Sequence, residues 1–70
     1  MEFHERLKEL RKEKGFSQKE LAELIGMALR NLQDIEYGKV DPRLSNVIKL
    51  ADALCVSLDD LACYHPKNAL

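Results

Sequence analysis

Seventy residues, 46% of them hydrophobic and only two of them proline, describe one small folded domain rather than a disordered tail. No long uncharged apolar run is present, so nothing reads as a membrane span, and the opening Met-Glu-Phe-His-Glu does not read as an export signal. Eleven basic residues against twelve acidic ones give a net charge of −1, which argues against strong non-specific attraction to nucleic acid but leaves room for a positive face once folding segregates the signs.

In chain order, residues 2–14 read as a first helix with Phe3, Leu7 and Leu10 on one stripe and Gly15 beyond its end. Its outward positions mix the signs. Glu2 stands four residues from Arg6, an opposite-charge pair, while Glu5–Glu9, Glu9–Glu13 and Lys8–Lys12 are like-charge pairs. Phe16 is expected in the core beside the end of this helix. Ser17 followed by Glu20 has the spacing of a capping box and opens a second helix over 18–25, carrying Leu21, Leu24 and Ile25 at helical intervals.

Gly26 stops that helix by taking a left-handed conformation that a Cβ disfavours. A third helix, 28–36, follows at once with Leu32 and Ile35 facing inward, and it ends before Gly38. Two short helices joined so tightly must cross steeply. Ala22 has the small side chain that the crossing needs, and Met27 and Leu32 are available to fill the angle. Residues 18–36 therefore read as a helix-turn-helix.

Asp41-Pro42 marks a turn before a fourth helix, 43–54, expected to bury Leu44, Val47, Ile48, Ala51 and Leu54. Ser57 with Asp60 repeats the capping logic and starts a short fifth helix whose Leu58 and Leu61 are expected to face the core. Pro66 ends it, and 65–70 reads as a flexible tail. The expectation is an all-α, compact five-helix fold in a single domain over 1–70. Cys55 and Cys63, eight residues apart, match no metal spacing and read as free thiols of a reducing, cytoplasmic compartment.

His4 and His65 lack any definable catalytic neighbourhood, and neither a glycine-rich phosphate loop nor a helical His-Glu-x-x-His pair is present. Catalysis, a cofactor, a metal site and a small-molecule ligand are accordingly not expected.

The stretch RLKELRKEKGFSQKELAELIG, continuing to IEYGK, resembles the phage repressor and Cro-type family, also called Xre-type or lambda-repressor-like. The later IKLADALCVSLDDL is similar to that family's fourth and fifth helices, so the resemblance covers residues 3–62. It implies a transcriptional regulator whose third helix reads double-stranded DNA in the major groove, as a homodimer on a short palindromic operator.

Carried onto this chain, the base-reading positions are Leu29, Arg30, Gln33 and Asp34. Arg30 can fork onto guanine, Gln33 can pair with adenine, Leu29 can press on a thymine methyl, and Asp34 can accept from cytosine. Phosphate contacts are expected from Ser17, Gln18, Asn31, Tyr37, Lys39 and Arg43, although a contact from the Ser17 hydroxyl competes with its cap. Two features depart from the family pattern: Ala28 stands where a capping Ser or Thr is common, and Leu29 replaces a polar reader. The resemblance pairs Arg11 with Glu36 as a structural brace, and a carboxylate next to inward-facing Ile35 needs such a partner.

A dimer interface is expected in the last third of the chain, through Cys55, Cys63 and Tyr64, because these and Leu70 exceed what so small a core can cover. The alternative function is a protein-interaction module on the same scaffold, docking through Leu29 and the acidic groups.

Overall fold

Local signals start and stop the helices of this chain. The computed structural model describes residues 2–62, so the expectations for Cys63, Tyr64, Leu70 and the 65–70 tail lie outside the described residues. Five helices follow one another: α1 (Phe3–Glu13), α2 (Gln18–Ile25), α3 (Leu29–Glu36), α4 (Leu44–Leu54) and α5 (Leu58–Ala62). None among the described residues is long and apolar enough to cross a membrane.

The Ser17 hydroxyl accepts from the Glu20 amide at 3.0 Å, and the Glu20 carboxylate accepts from the Ser17 amide at 2.9 Å. That backbone amide, and after it the Ser17 hydroxyl, hold the Glu20 carboxyl below the usual carboxylate range. The Asp60 amide likewise donates to Ser57 Oγ at 3.0 Å. α3 and α4 each begin one residue later than the sequence suggests. Ala28 and Arg43 have extended backbones and serve as N-caps without a side-chain cap bond. α2 ends at Gly26 with φ 71° and ψ 31°, the left-handed turn that swings α3 across it. α4 ends in the same conformation at Cys55, φ 58°, where a Cβ makes it less favourable by about 1–2 kcal/mol.

The core is built from Leu7, Leu10, Leu21, Ala22, Leu32, Ile35, Leu50, Ala51, Leu54 and Leu61, with Phe3, Phe16, Ile25, Met27 and Val47 packed against it. α2 packs on α3 and α4, while α1 packs on α3 and α5, and α4 on α5. Ala22, 2% exposed, lies within the α2–α3 crossing, with Leu32 fully buried. The inward face of α4 differs from the expected one. Leu44 and Ile48 are 70% and 43% exposed, whereas Leu50 is fully buried. Positions 47, 50, 51 and 54 form the inward stripe, because α2 and α5 together press on α4 from that side. Leu58, 41% exposed, is also outside the core, since a helix of barely more than one turn directs only Leu61 inward. On α2, Leu21 is buried and Ile25 partly buried, leaving Leu24 in solvent.

Polar contacts tie α1 to α5. Arg6 bonds Asp60 at 2.8 Å and Glu9 at 2.7 Å, rather than pairing with Glu2. Deeper in the fold, Arg11 Nε meets Glu36 Oε2 at 2.7 Å and Arg11 Nη2 meets Glu36 Oε1 at 3.2 Å, joining α1 to α3. Arg11 Nη1 donates to the Phe16 carbonyl at 2.7 Å. Glu36 is fully buried and Arg11 only 7% exposed. Among the described residues no buried side-chain N or O atom lacks a partner.

Two measurements test this account. Removing one member of a buried pair strands the other, so Arg11→Ala and Glu36→Gln should each cost about 3–5 kcal/mol in denaturant melts, with strong non-additivity in the double variant. Additive losses would mean that the pair does not couple α1 to α3. The second concerns glycines. A Cβ at Gly26 (φ +71°) would meet nothing within 4 Å, whereas one at Gly38 (φ +76°) would lie 3.2 Å from Cε1 and Nδ1 of the His4 ring. Gly26→Ala should therefore cost about 1–2 kcal/mol from backbone conformation alone. Gly38→Ala should cost more, and the excess should disappear when His4→Ala is also present.

Candidate nucleic-acid interface

α3 turns Leu32, Ile35 and Glu36 inward, which sets what its other face can offer. Leu29, Arg30 and Asn31 are exposed, with Ala28 before them and Tyr37 after. Gln33 and Asp34, the other two positions assigned to base reading, are half-buried. Arg30 Nε lies 3.4 Å from Asp34 Oδ1, one helical turn on, with the Arg30 side chain 82% exposed. Such a solvated i,i+4 pair stabilises by only a few tenths of a kcal/mol, about 0.3–0.5, so a stronger acceptor can take the guanidinium away.

Gln33 is held from behind. Its Nε2 donates to Gln18 Oε1 at 3.4 Å, and Gln18 Nε2 donates to Glu36 Oε1 at 3.1 Å. A continuous chain of polar groups therefore runs from buried Arg11 through Glu36 and Gln18 to the surface amide of Gln33. The contact between Gln18 and Glu36 has no local signature, since the two are 18 residues apart on different helices and meet only through the α2–α3 crossing.

The expected phosphate contacts ring this face. Ser17 is exposed, but its hydroxyl is already engaged by its cap. Lys39 is exposed just past Gly38, where its amide donates to the Asp34 carbonyl at 2.9 Å and closes the end of α3. Tyr37 is 57% exposed, and Lys8 Nζ sits 5.7 Å from its ring centroid, a cation–π contact that adds a cation from α1 to the same edge. Nothing local in the sequence joins position 8 to position 37, so Lys8 is not among the contacts expected from it. Asn31 and Arg43 line one open recess between α3 and the start of α4, together with Val40, Asp41, Pro42 and Asn46. Of the residues expected at a dimer interface, Cys55 is a free, exposed thiol at the far end of α4. Among the described residues no group of three or more His, Cys, Asp or Glu is arranged to hold a metal ion.

Comparison with known proteins agrees with this geometry. A family model described as helix-turn-helix matches residues 7–61. The prophage-derived HTH-type transcriptional regulator YonR of Bacillus subtilis is 41% identical over 59 residues, 84% of this chain and 55% of that protein. The chain spans about half the length of the curated relatives it matches. Among solved structures, the restriction-modification controller protein C.AhdI from Aeromonas hydrophila superimposes with a TM-score of 0.81 at 41% identity, covering 84% of this chain and 89% of that one. The biofilm master regulator SinR, solved in complex with DNA, gives 0.80 at 38% identity, covering 84% and 95%. A five-helix core, a glycine turn between crossed α2 and α3, and these likenesses lead to one conclusion: the chain belongs to the Xre/Cro-type helix-turn-helix family of DNA-binding transcriptional regulators.

Proposed function

We propose that this protein is a cytoplasmic, sequence-specific regulator that reads operator half-sites in the major groove through α3. The observation that carries the reading is the division of α3 into a buried face and a polar face on which Arg30 is extended and Gln33 is held by Gln18. Arg30 leaves Asp34 to fork onto guanine O6 and N7, and Gln33 pairs with adenine. Leu29, 39% exposed, supplies apolar contact to a thymine methyl, and Asp34 accepts from cytosine while rejecting other bases. Gln18, Asn31, Tyr37, Lys39 and Arg43 hold the phosphates on either side, with Ser17 fixing the start of α2.

The DNA-binding unit is a homodimer on a short palindromic operator, its two α3 helices about 34 Å apart. Exposed Leu44, Ile48 and Cys55 fall on one stripe of α4, with exposed Leu58 just beyond, and Cys55 is shared with the interface inferred from the sequence. A second copy of the chain covers that stripe.

Selection of duplex DNA from a random library, followed by titration at two salt concentrations, tests the reading. Arg30→Ala and Gln33→Ala should each cost about 1–3 kcal/mol on the selected site and relax its preference at one position. Lys39→Ala should weaken all sequences alike and flatten the salt dependence. Asp34→Asn should raise affinity at low salt by releasing Arg30 and removing a charge that repels phosphate. Equal, sequence-blind losses from Arg30→Ala, Gln33→Ala and Lys39→Ala would overturn the division into readers and clamps. Binding insensitive to salt would favour a protein-docking role for α3.

Sedimentation equilibrium tests the dimer. Ile48→Glu and Tyr64→Ala should each shift the intact chain toward monomer, and a chain that stays monomeric well above the concentration that fills a palindromic site would rule the preformed dimer out.

A further inference from the structure

Glu36 lies out of reach of any ligand, yet it occupies one end of the polar chain that reaches the recognition face. A carboxylate paired with a guanidinium offers acceptors and no donor. Its Oε2 takes Arg11 Nε at 2.7 Å, and its Oε1 is shared by Arg11 Nη2 at 3.2 Å and Gln18 Nε2 at 3.1 Å. The Gln18 amide therefore has one permitted orientation. Turning it over would set its oxygen against an oxygen of the fully buried carboxylate, two acceptors face to face at a part-buried contact.

With nitrogen turned inward, Gln18 presents Oε1 to α3, and that oxygen can only accept. Gln33 must answer with a donor, which is the 3.4 Å contact from its Nε2. One N–H of Gln33 is spent on Gln18. Its carbonyl and its second N–H remain for DNA, a combination that complements N6 and N7 of adenine and sets oxygen against O6 of guanine.

We propose that Glu36 is a positioning residue for base recognition: through Gln18 its carboxylate fixes the donor–acceptor polarity of the Gln33 amide, so that α3 offers an adenine-matching edge. The inference rests on Gln33 being a base reader. It also predicts what a neutral isostere does. In Glu36→Gln the single oxygen is held by Arg11 and the new amide nitrogen faces Gln18. Gln18 then turns its oxygen inward, its nitrogen meets the Gln33 oxygen, and Gln33 directs N–H groups outward, toward the O6 and N7 acceptors of guanine. One proton-donor inversion passes through both amides.

The test uses the intact chain and the base pair whose preference is lost in Gln33→Ala. Wild type should prefer adenine over guanine there. Glu36→Gln should lower the adenine-to-guanine affinity ratio by about tenfold or more, the share of one bidentate contact, while the position read by Arg30 is unchanged. Gln18→Met breaks the relay without touching the buried pair and should also lower the ratio. It carries the test should Glu36→Gln fail to fold. In the free protein, nuclear magnetic resonance should find the Gln33 side-chain amide signals displaced in Gln18→Met and in folded Glu36→Gln. A purely structural role for Glu36 would lower stability and leave the base ratio of the folded variants as in wild type, and that result overturns the proposal. A Gln33-dependent preference for guanine in wild type overturns the assigned polarity. If Gln33→Ala alters no base preference, base reading itself fails, and Gln33 amide signals unmoved in Gln18→Met would separately show that no relay exists.

Discussion

The buried contact between Arg11 and Glu36 is the constraint around which the functional face is arranged. A charge without water needs a partner, and here the partner lies on a different helix, so the pair holds the end of α3 against α1. The guanidinium then reaches the Phe16 carbonyl and ties down the segment between α1 and α2 as well. One arginine thus relates three parts of the chain whose mutual placement decides where α3 points. An apolar pair could fill the same volume, but it would have no directional demand to pass to Gln18.

The surface adds a second layer of control. With a net charge of −1, the sequence has no overall excess of positive charge, so the grouping of its cations decides where a positive face forms. Lys39 follows the turn after α3, and Lys8 is brought to that turn by its contact with Tyr37. Arg43 stands at the start of α4, across the recess from Asn31. Against this, Asp34 Oδ1 lies 3.4 Å from Arg30 Nε and offsets part of its charge.

Gly38 shows how closely structure and presentation are linked. Its left-handed backbone ends α3, and the His4 ring lies beside it, so the start of α1 borders the exposed turn that carries Tyr37 and Lys39. The C-terminal end of α3 is consequently referred to α1 twice: its last residue through Arg11, and the following turn through His4 and Lys8.

Much of this was legible in the sequence wherever the cause is local. Ser17 with Glu20, Ser57 with Asp60, and Gly26 state their roles within a few residues, because caps and left-handed turns are short-range chemistry. The helices, their order, the crossing at Ala22 and the family resemblance follow from such signals. Tertiary structure alone decided how α4 is rolled, since Leu44, Ile48 and Leu50 are equally apolar and only the positions of α2 and α5 select which is covered. It also decided that Arg6 turns to Asp60 at the far end of the chain, that Lys8 stands over Tyr37, and that Gln18 joins Glu36 to Gln33. Each of these depends on distances between helices, and a linear sequence carries the donors and acceptors without saying which of them will meet.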